Sequence, residues 1–282
     1  MARWQAFPLE GFRFLAFHLQ EQGRGKKKMY SGYYAAVTGL VAKFDALDLI
    51  ANNLANVNTT GYKAQEEFYR TLTATMGNGN VSPLNRAVND YGVLGGAATN
   101  FATGPIQATG NPLDIALEGK GFIVAKTSAG DRYTRDGSLH VNASGILSTS
   151  EGDPVMGLIP KPKGKPGEGP IKVPQGAISI SPGGVISVNG SLAGQLKLVQ
   201  FAPGTRLQTE GNGYFSAPAV DEQPAANPGV RQGSLESSNV NAMGEMVSLI
   251  LLQRETQMLQ TAISTFDHTF DDSMISSVPI VQ

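Results

Sequence analysis

Three histidines, two closely spaced aspartates and a short run of lysines are the residues of this chain that chemistry would use first. His18, His140 and His268 fall in three separate segments, the second on a predicted strand and the third in a predicted helix. A metal centre or a proton-transfer pair needs such side chains to converge, so their dispersal argues against one. Asp131 and Asp136 have the spacing of a carboxylate pair, but each abuts a glycine, Gly130 or Gly137. Aspartate is favoured at such turns because its side chain bonds the nearby backbone. Lys161, Lys163 and Lys165 sit among Pro and Gly with no helix predicted after them, whereas a phosphate cradle opens a helix. The chain contains no cysteine, which removes disulfides and thiolate chemistry. Its formal net charge of −1 disfavours binding driven by phosphate neutralisation, and no apolar run reaches the length of a membrane span. No P-loop, nucleophile elbow or dinucleotide fingerprint occurs. The expectation is a protein with no catalytic site, no cofactor and no metal, one that neither binds nucleic acid nor spans a membrane.

What the residues do offer is spacing. Tyr30, Tyr33, Val37, Leu40, Phe44, Leu47, Ala51 and Leu54 follow one another at steps of three and four, the pattern of a helix that buries one seam against another helix. Asn58 to Gly61 then supply residues that end a helix. Near the other terminus Leu249, Leu252, Thr256, Leu259, Ile263, Phe266 and Phe270 repeat the pattern, and Leu251 with Met258 begins a second column beside it. One seam on each helix satisfies a hairpin within the chain; a second calls for a further helical neighbour, from another copy or another protein. An ordinary helix pair capping a globular core is the other reading of the same spacing. Asn241 is the expected N-cap of the last helix, and Gly244 stands where a capping-box carboxylate would sit.

Between the helices the signals change period. With 34 Gly, 16 Pro and few aromatics, the chain is rich in turns. From Leu113 to Phe201 short apolar runs alternate with Gly-, Asn- and Asp-bearing turns at hairpin spacing, which predicts an antiparallel sandwich or partial barrel. Ala64 to Leu72 reads as a continuation of the first helix or a second short one. From Asn85 to Gly110 the chain is poor in charge and rich in Gly, Thr and Asn, with Tyr91, Val93, Leu94 and Phe101 as anchors. That suits an extended strap lying on a folded body. Residues 1–28 differ from everything after them. They carry six basic residues, an interrupted apolar pattern and no signal-peptide core or cleavage site. Since helical order begins directly after Met29, Met29 is the expected initiator; a basic anchor or targeting tail is the other reading of the extension. The expected organisation is α+β, with N- and C-terminal helices paired as a coiled-coil-like element around a central antiparallel β-rich domain. Its segments are an extension at 1–28, a helical segment at 29–72, a linker at 73–110, the β-rich domain at 111–232 and the C-terminal helix at 233–282.

The motifs along this frame carry a resemblance. Ala51-Asn-Asn-Leu-Ala-Asn-Val-Asn-Thr-Thr-Gly-Tyr-Lys63 resembles the N-terminal signature of the bacterial flagellar rod and hook proteins. Asn111-Pro-Leu-Asp114, Gly119-x-Gly-Phe122, Tyr133-Thr-Arg-Asp-Gly137 and Gly145-x-Leu147 resemble that family's central block, and Ser238-Asn-Val-Asn241 with Gln253-Arg254 its C-terminal block. The order is the family's order. The length from Met29 and the compact passage from Gly92 to Pro112 look more like the proximal rod subunit than the distal one. Thr256, Thr261 and Gly244 depart from the residues usual in the family.

The resemblance implies a structural subunit of the basal-body rod. It would be exported through the flagellar secretion apparatus without a cleaved signal, and assemble with itself and with other proximal and distal rod subunits. The rod crosses the periplasm, transmits torque and encloses an export channel. On that reading Val37, Leu40, Phe44, Leu47, Leu54, Leu252, Leu259, Ile263 and Phe266 pack its inner layer, and Asn52, Asn53 and Asn56 offer amides to neighbouring backbones. A distal rod or hook-type subunit is the nearer alternative, and a carbohydrate-binding β domain the remote one.

Overall fold

A computed structural model of the chain describes residues 30–70, 93–160, 166–202, 204–218, 221–225 and 229–275. Residues 1–29, the Lys161–Lys165 run and most of the 73–110 segment, Tyr91 included, lie outside that set. Two long helices, α1 (Tyr30–Ala55) and α2 (Ala242–Ile275), flank an antiparallel β-rich region, so the fold is α+β as the sequence indicated. Among the described residues no helix is long and apolar enough to cross a membrane.

The described residues divide into two compact units. One holds α1 up to Lys43 and α2 from Glu255. There Leu40, Ala42 and Thr256 are buried, and Lys43 Nζ lies 2.7 Å from Glu255 Oε2. The other holds 44–69 and 94–254, including all of the β-rich region.

Two sheets dominate the second unit. A six-stranded sheet runs, in spatial order, Gln208–Thr209, Tyr214–Ser216, Gly130–Thr134, Phe122–Thr127, Leu198–Phe201 and Glu222–Pro224. A five-stranded sheet runs Gly167–Pro170, Met156–Ile159, Ser191–Leu196, Val185–Val188 and Ile178–Ile180. The alternation of side chains across a strand sorts the apolar residues. Ile123 joins the larger core with Ile115, Leu147, Val155, Ile171 and Ile186. Its neighbours Phe122 and Val124 face the other way, into a smaller cluster with Tyr133, Val199 and Phe215. Phe101 closes that cluster edge-on, 5.6 Å from Phe122 and 5.4 Å from Phe215 between ring centres. Phe101, expected as an anchor, thus packs against the body, while Val93–Thr99 and Ile106–Ala108 within the expected linker are paired strands.

Two strands on the C-terminal side return to the beginning of the region: Val230–Gln232 pairs with Ile115–Leu117, and Ser234–Glu236 with Ile106–Ala108. The segment after α1 differs from expectation. Gln65–Arg70 is a strand paired with Val93–Thr99, not a helix. The four-residue spacing of Phe68 and Leu72 suggested a helix, but the chain leaves α1 through a turn that redirects it into a sheet pairing, and pairing overrides local spacing.

Candidate functional site

The chain leaves α1 by a turn that only glycine completes. After Ala55 the Asn56 amide still reaches the Asn52 and Asn53 carbonyls, and Thr59 donates back to Asn56. Gly61 then takes φ +67°, and a Cβ there would run into the Arg135 carbonyl and the Asp136 amide. The Gly61 amide donates to the Glu236 carbonyl at 2.8 Å, which sends Lys63 inward.

Lys63 arrives at a fully buried carboxylate. Its Nζ lies 2.6 Å from Glu236 Oε1 and donates to the Ala102 carbonyl at 2.7 Å. Arg135 Nη1 lies 3.2 Å from Glu236 Oε2, and its Nη2 donates to the Gly119 carbonyl at 2.7 Å. The Gly104 amide also donates to Glu236 Oε1, at 2.8 Å. Burial pulls both cations below their ordinary pKa, and the Glu236 carboxylate opposes that shift at each. Arg135 also lies with its Cζ 5.2 Å from the centre of the Phe122 ring, while its Nε has no hydrogen-bond partner among the described residues. Such a triad gains little as a group over well-packed apolar residues, yet losing one member strands the others in a dry interior. It therefore acts as a latch: the segment after α1, the residue that follows the Gly130–Thr134 strand and the segment before α2 each supply one member.

Amides extend the latch to both helices. Asn53 is 1% exposed. It donates to the Gln65 carbonyl at 2.8 Å and to Glu245 Oε1 of α2 at 3.1 Å, and accepts from the Gln65 amide at 2.9 Å and the Tyr62 hydroxyl at 3.2 Å. Burial and the Glu245 charge raise the Tyr62 pKa. Asn239 accepts from the Ala64 amide at 2.7 Å and donates to the Asn100 and Ala102 carbonyls at 2.8 and 3.0 Å. Asp136 is a tie as well as a turn residue, accepting from Thr60, Ser138 and Ser150 at 2.8 to 3.0 Å. Asn241 caps α2, accepting from the Gly244 amide at 3.2 Å, as its position predicted. Between the helices, Ala46, Ile50 and Leu252 form a small apolar cluster with Leu47 and Leu249 packed against it.

Three family models match the chain in order. A flagella basal body rod protein model covers residues 34–63, a flagellar hook protein FlgE/F/G D1 domain model residues 116–188, and a flagellar basal body rod FlgEFG protein C-terminal model residues 231–275. The flagellar basal-body rod protein FlgF of Caulobacter vibrioides is 35% identical over 213 residues, 74% of this chain and 82% of that protein. The chain belongs to the flagellar basal-body rod family. The rod protein FlgG of Borreliella burgdorferi is 31% identical over 85% of this chain and 96% of its own length, and FlgF of Escherichia coli 31% identical over 83% and 93%. This rod subunit, of the proximal type, is a structural component of the flagellar basal body and not an enzyme.

Within this rod subunit the helical residues singled out by spacing occupy different environments. Leu40 and Leu252 are buried, Val37, Leu47, Leu54, Leu259 and Ile263 half-buried, and Phe44 is 41% exposed. Phe266 lies in α2 with its side chain outside the described set. Of the three asparagines, Asn53 is committed inside its own chain, Asn56 donates to the Asn52 carbonyl one turn back at 2.9 Å, and Asn52 is exposed. Sequence reading missed the Lys63–Glu236–Arg135 latch. The available signal was three charged residues, one in each family motif or at its border.

Proposed function

We propose that this rod subunit assembles with itself and with other rod subunits through its terminal helices, which pair as a coiled-coil-like inner layer around the export channel while the β-rich region lies outside. The assembled rod crosses the periplasm and transmits torque, and the subunit reaches it through the flagellar export apparatus without a cleaved signal. Val37, Leu40, Phe44, Leu47, Leu54, Leu252, Leu259, Ile263 and Phe266 supply the apolar side chains of that layer, and the exposed Asn52 offers its side-chain amide to a neighbour. No nucleic acid takes part.

One observation carries the reading. Among the described residues, the large apolar side chains left exposed are Val41 and Phe44 on α1, Met243, Met246, Val247, Ile250, Leu251 and Met258 on α2, and Leu192 alone elsewhere. Exposed apolar surface gathered on two elements marks a contact surface. The experiment replaces Leu251 with Asp in the full chain: the subunit is expected to fold normally while rods, seen by electron microscopy of isolated basal bodies, are absent. Normal rods and swimming with Leu251→Asp would refute the reading.

A further inference from the structure

Each helix repeats its buried seam two residues further on, in the open. In α1 the buried residues Ala42, Ala46, Leu49 and Asn53 advance by four, three and four. Phe44, Asp48, Ala51 and Ala55 advance by the same steps and are exposed. In α2 Glu245, Leu249, Leu252 and Thr256 are half-buried or buried, and Val247, Leu251, Arg254 and Met258, two residues on, are exposed. A shift of two residues turns about 200° around a helix of 3.6 residues per turn. The outer stripes therefore point away from the contact between Asn53 and Glu245 and between the residues around Ala46 and Leu252. Within one chain the two outer stripes cannot meet.

Laid antiparallel, they match position by position. Asp48 falls opposite Arg254, and among the described residues neither takes part in an ion pair within the chain. Phe44 falls opposite Met258, a thioether against an aromatic face. Ala51 falls opposite Leu251 and Ala55 opposite Val247, small residues against large ones along the seam. Apolar, steric and charge complementarity thus agree in one register, and a charge pair on the stripe is the device that fixes register and partner.

We propose that the outer stripe of α1 in one copy of the chain lies antiparallel along the outer stripe of α2 in the next, with Asp48 of the first opposite Arg254 of the second. The contact uses a different patch on each copy. It therefore propagates from subunit to subunit instead of closing into a twofold dimer. The inference rests on the rod-subunit reading above, to which it adds the face, the direction and the register.

Two measurements in flagellated cells making the full chain in place of their own copy test it. Since the chain has no cysteine, single-cysteine variants report without background. Cells making both Phe44→Cys and Met258→Cys subunits should give an oxidised dimer at least tenfold above cells making Phe44→Cys and Met246→Cys, which lies about 18 Å further along α2 at ~1.5 Å per residue. In parallel, Asp48→Arg and Arg254→Asp, both at exposed positions, should each abolish swimming, and the doubly reversed chain should restore it. Equal crosslinking at the two pairs, normal swimming with either single reversal, or no rescue by the double reversal would overturn the register. The two levels separate cleanly: if cells lacking the protein still build rods and swim, the rod reading fails. If they do not swim while Asp48→Arg cells do, only this contact fails.

Discussion

The latch around Glu236 and the outer faces of α1 and α2 are opposite solutions to the same task of holding segments together. At the latch nearly every buried polar atom finds a partner: Lys63, Arg135 and Gly104 saturate Glu236, and Asn53 uses both its oxygen and its amide. On the outer faces six large apolar residues of α2 and two of α1 remain exposed. The difference teaches where the chain is complete in itself and where it is not. Polar chemistry closes the β-rich region upon the ends of the helices, and apolar chemistry is left over on the helices for a neighbour.

That contrast can be broken from either side. The largest effect on the lone subunit is expected from Glu236→Gln, which leaves two cations facing each other in a dry site and should cost about 3–5 kcal/mol in denaturant unfolding. Asn53→Ala strands the Gln65 amide and carbonyl and should cost about 1–3 kcal/mol by the same measurement. Asn241→Ala removes the cap of α2 and should cost about 1 kcal/mol. Leu251→Asp, on the open side, should change monomer stability by less than about 0.5 kcal/mol, while still eliminating rods in cells.

The smallest effect is an alkaline one. Tyr133 is 2% exposed and its hydroxyl donates to Glu222 Oε2 at 3.1 Å; burial, reinforced by the Glu222 charge, pushes its pKa from 10.0 up to about 12. The folded chain therefore keeps a proton that the unfolded chain loses, and stability falls as pH rises from about 10 to about 12. Tyr133→Phe should make that alkaline fall shallower, read as a smaller difference between the unfolding free energies at about pH 10 and about pH 12.

Much of this frame was legible in the sequence because it depends on local periodicity. The seam of α2 through Leu249, Leu252 and Thr256, the Asn241 cap and the Gly61 turn all follow from residue type and spacing, and the structure places each of them so. The phase of α1 did not follow. Apolar residues surround that helix, so its column through Leu40, Phe44, Leu47 and Ala51 looked like the buried one, whereas Leu40 is buried, Leu47 half-buried, Phe44 and Ala51 are exposed, and a further buried seam runs through Ala42, Ala46 and Leu49. Alanine gives a periodicity reading little weight, although its small size is what lets another helix approach closely. The latch was hidden for another reason. Lys63, Arg135 and Glu236 are 72 and 101 residues apart along the chain, and spacing carries no information about such a convergence.

The central claim is that the outer faces of the terminal helices find cover only in the assembled rod, and methionine oxidation reads it directly. Met243 and Met258 are 74% and 71% exposed in the lone chain, and Met156 is half-buried against the aromatic cluster as an internal reference. Exposed methionines oxidise to the sulfoxide in proportion to their access. Dilute peroxide should oxidise Met243 and Met258 readily in the purified subunit and at least tenfold more slowly in isolated basal bodies, with Met156 unchanged between the two. Equal oxidation of Met243 and Met258 in both samples would contradict the account.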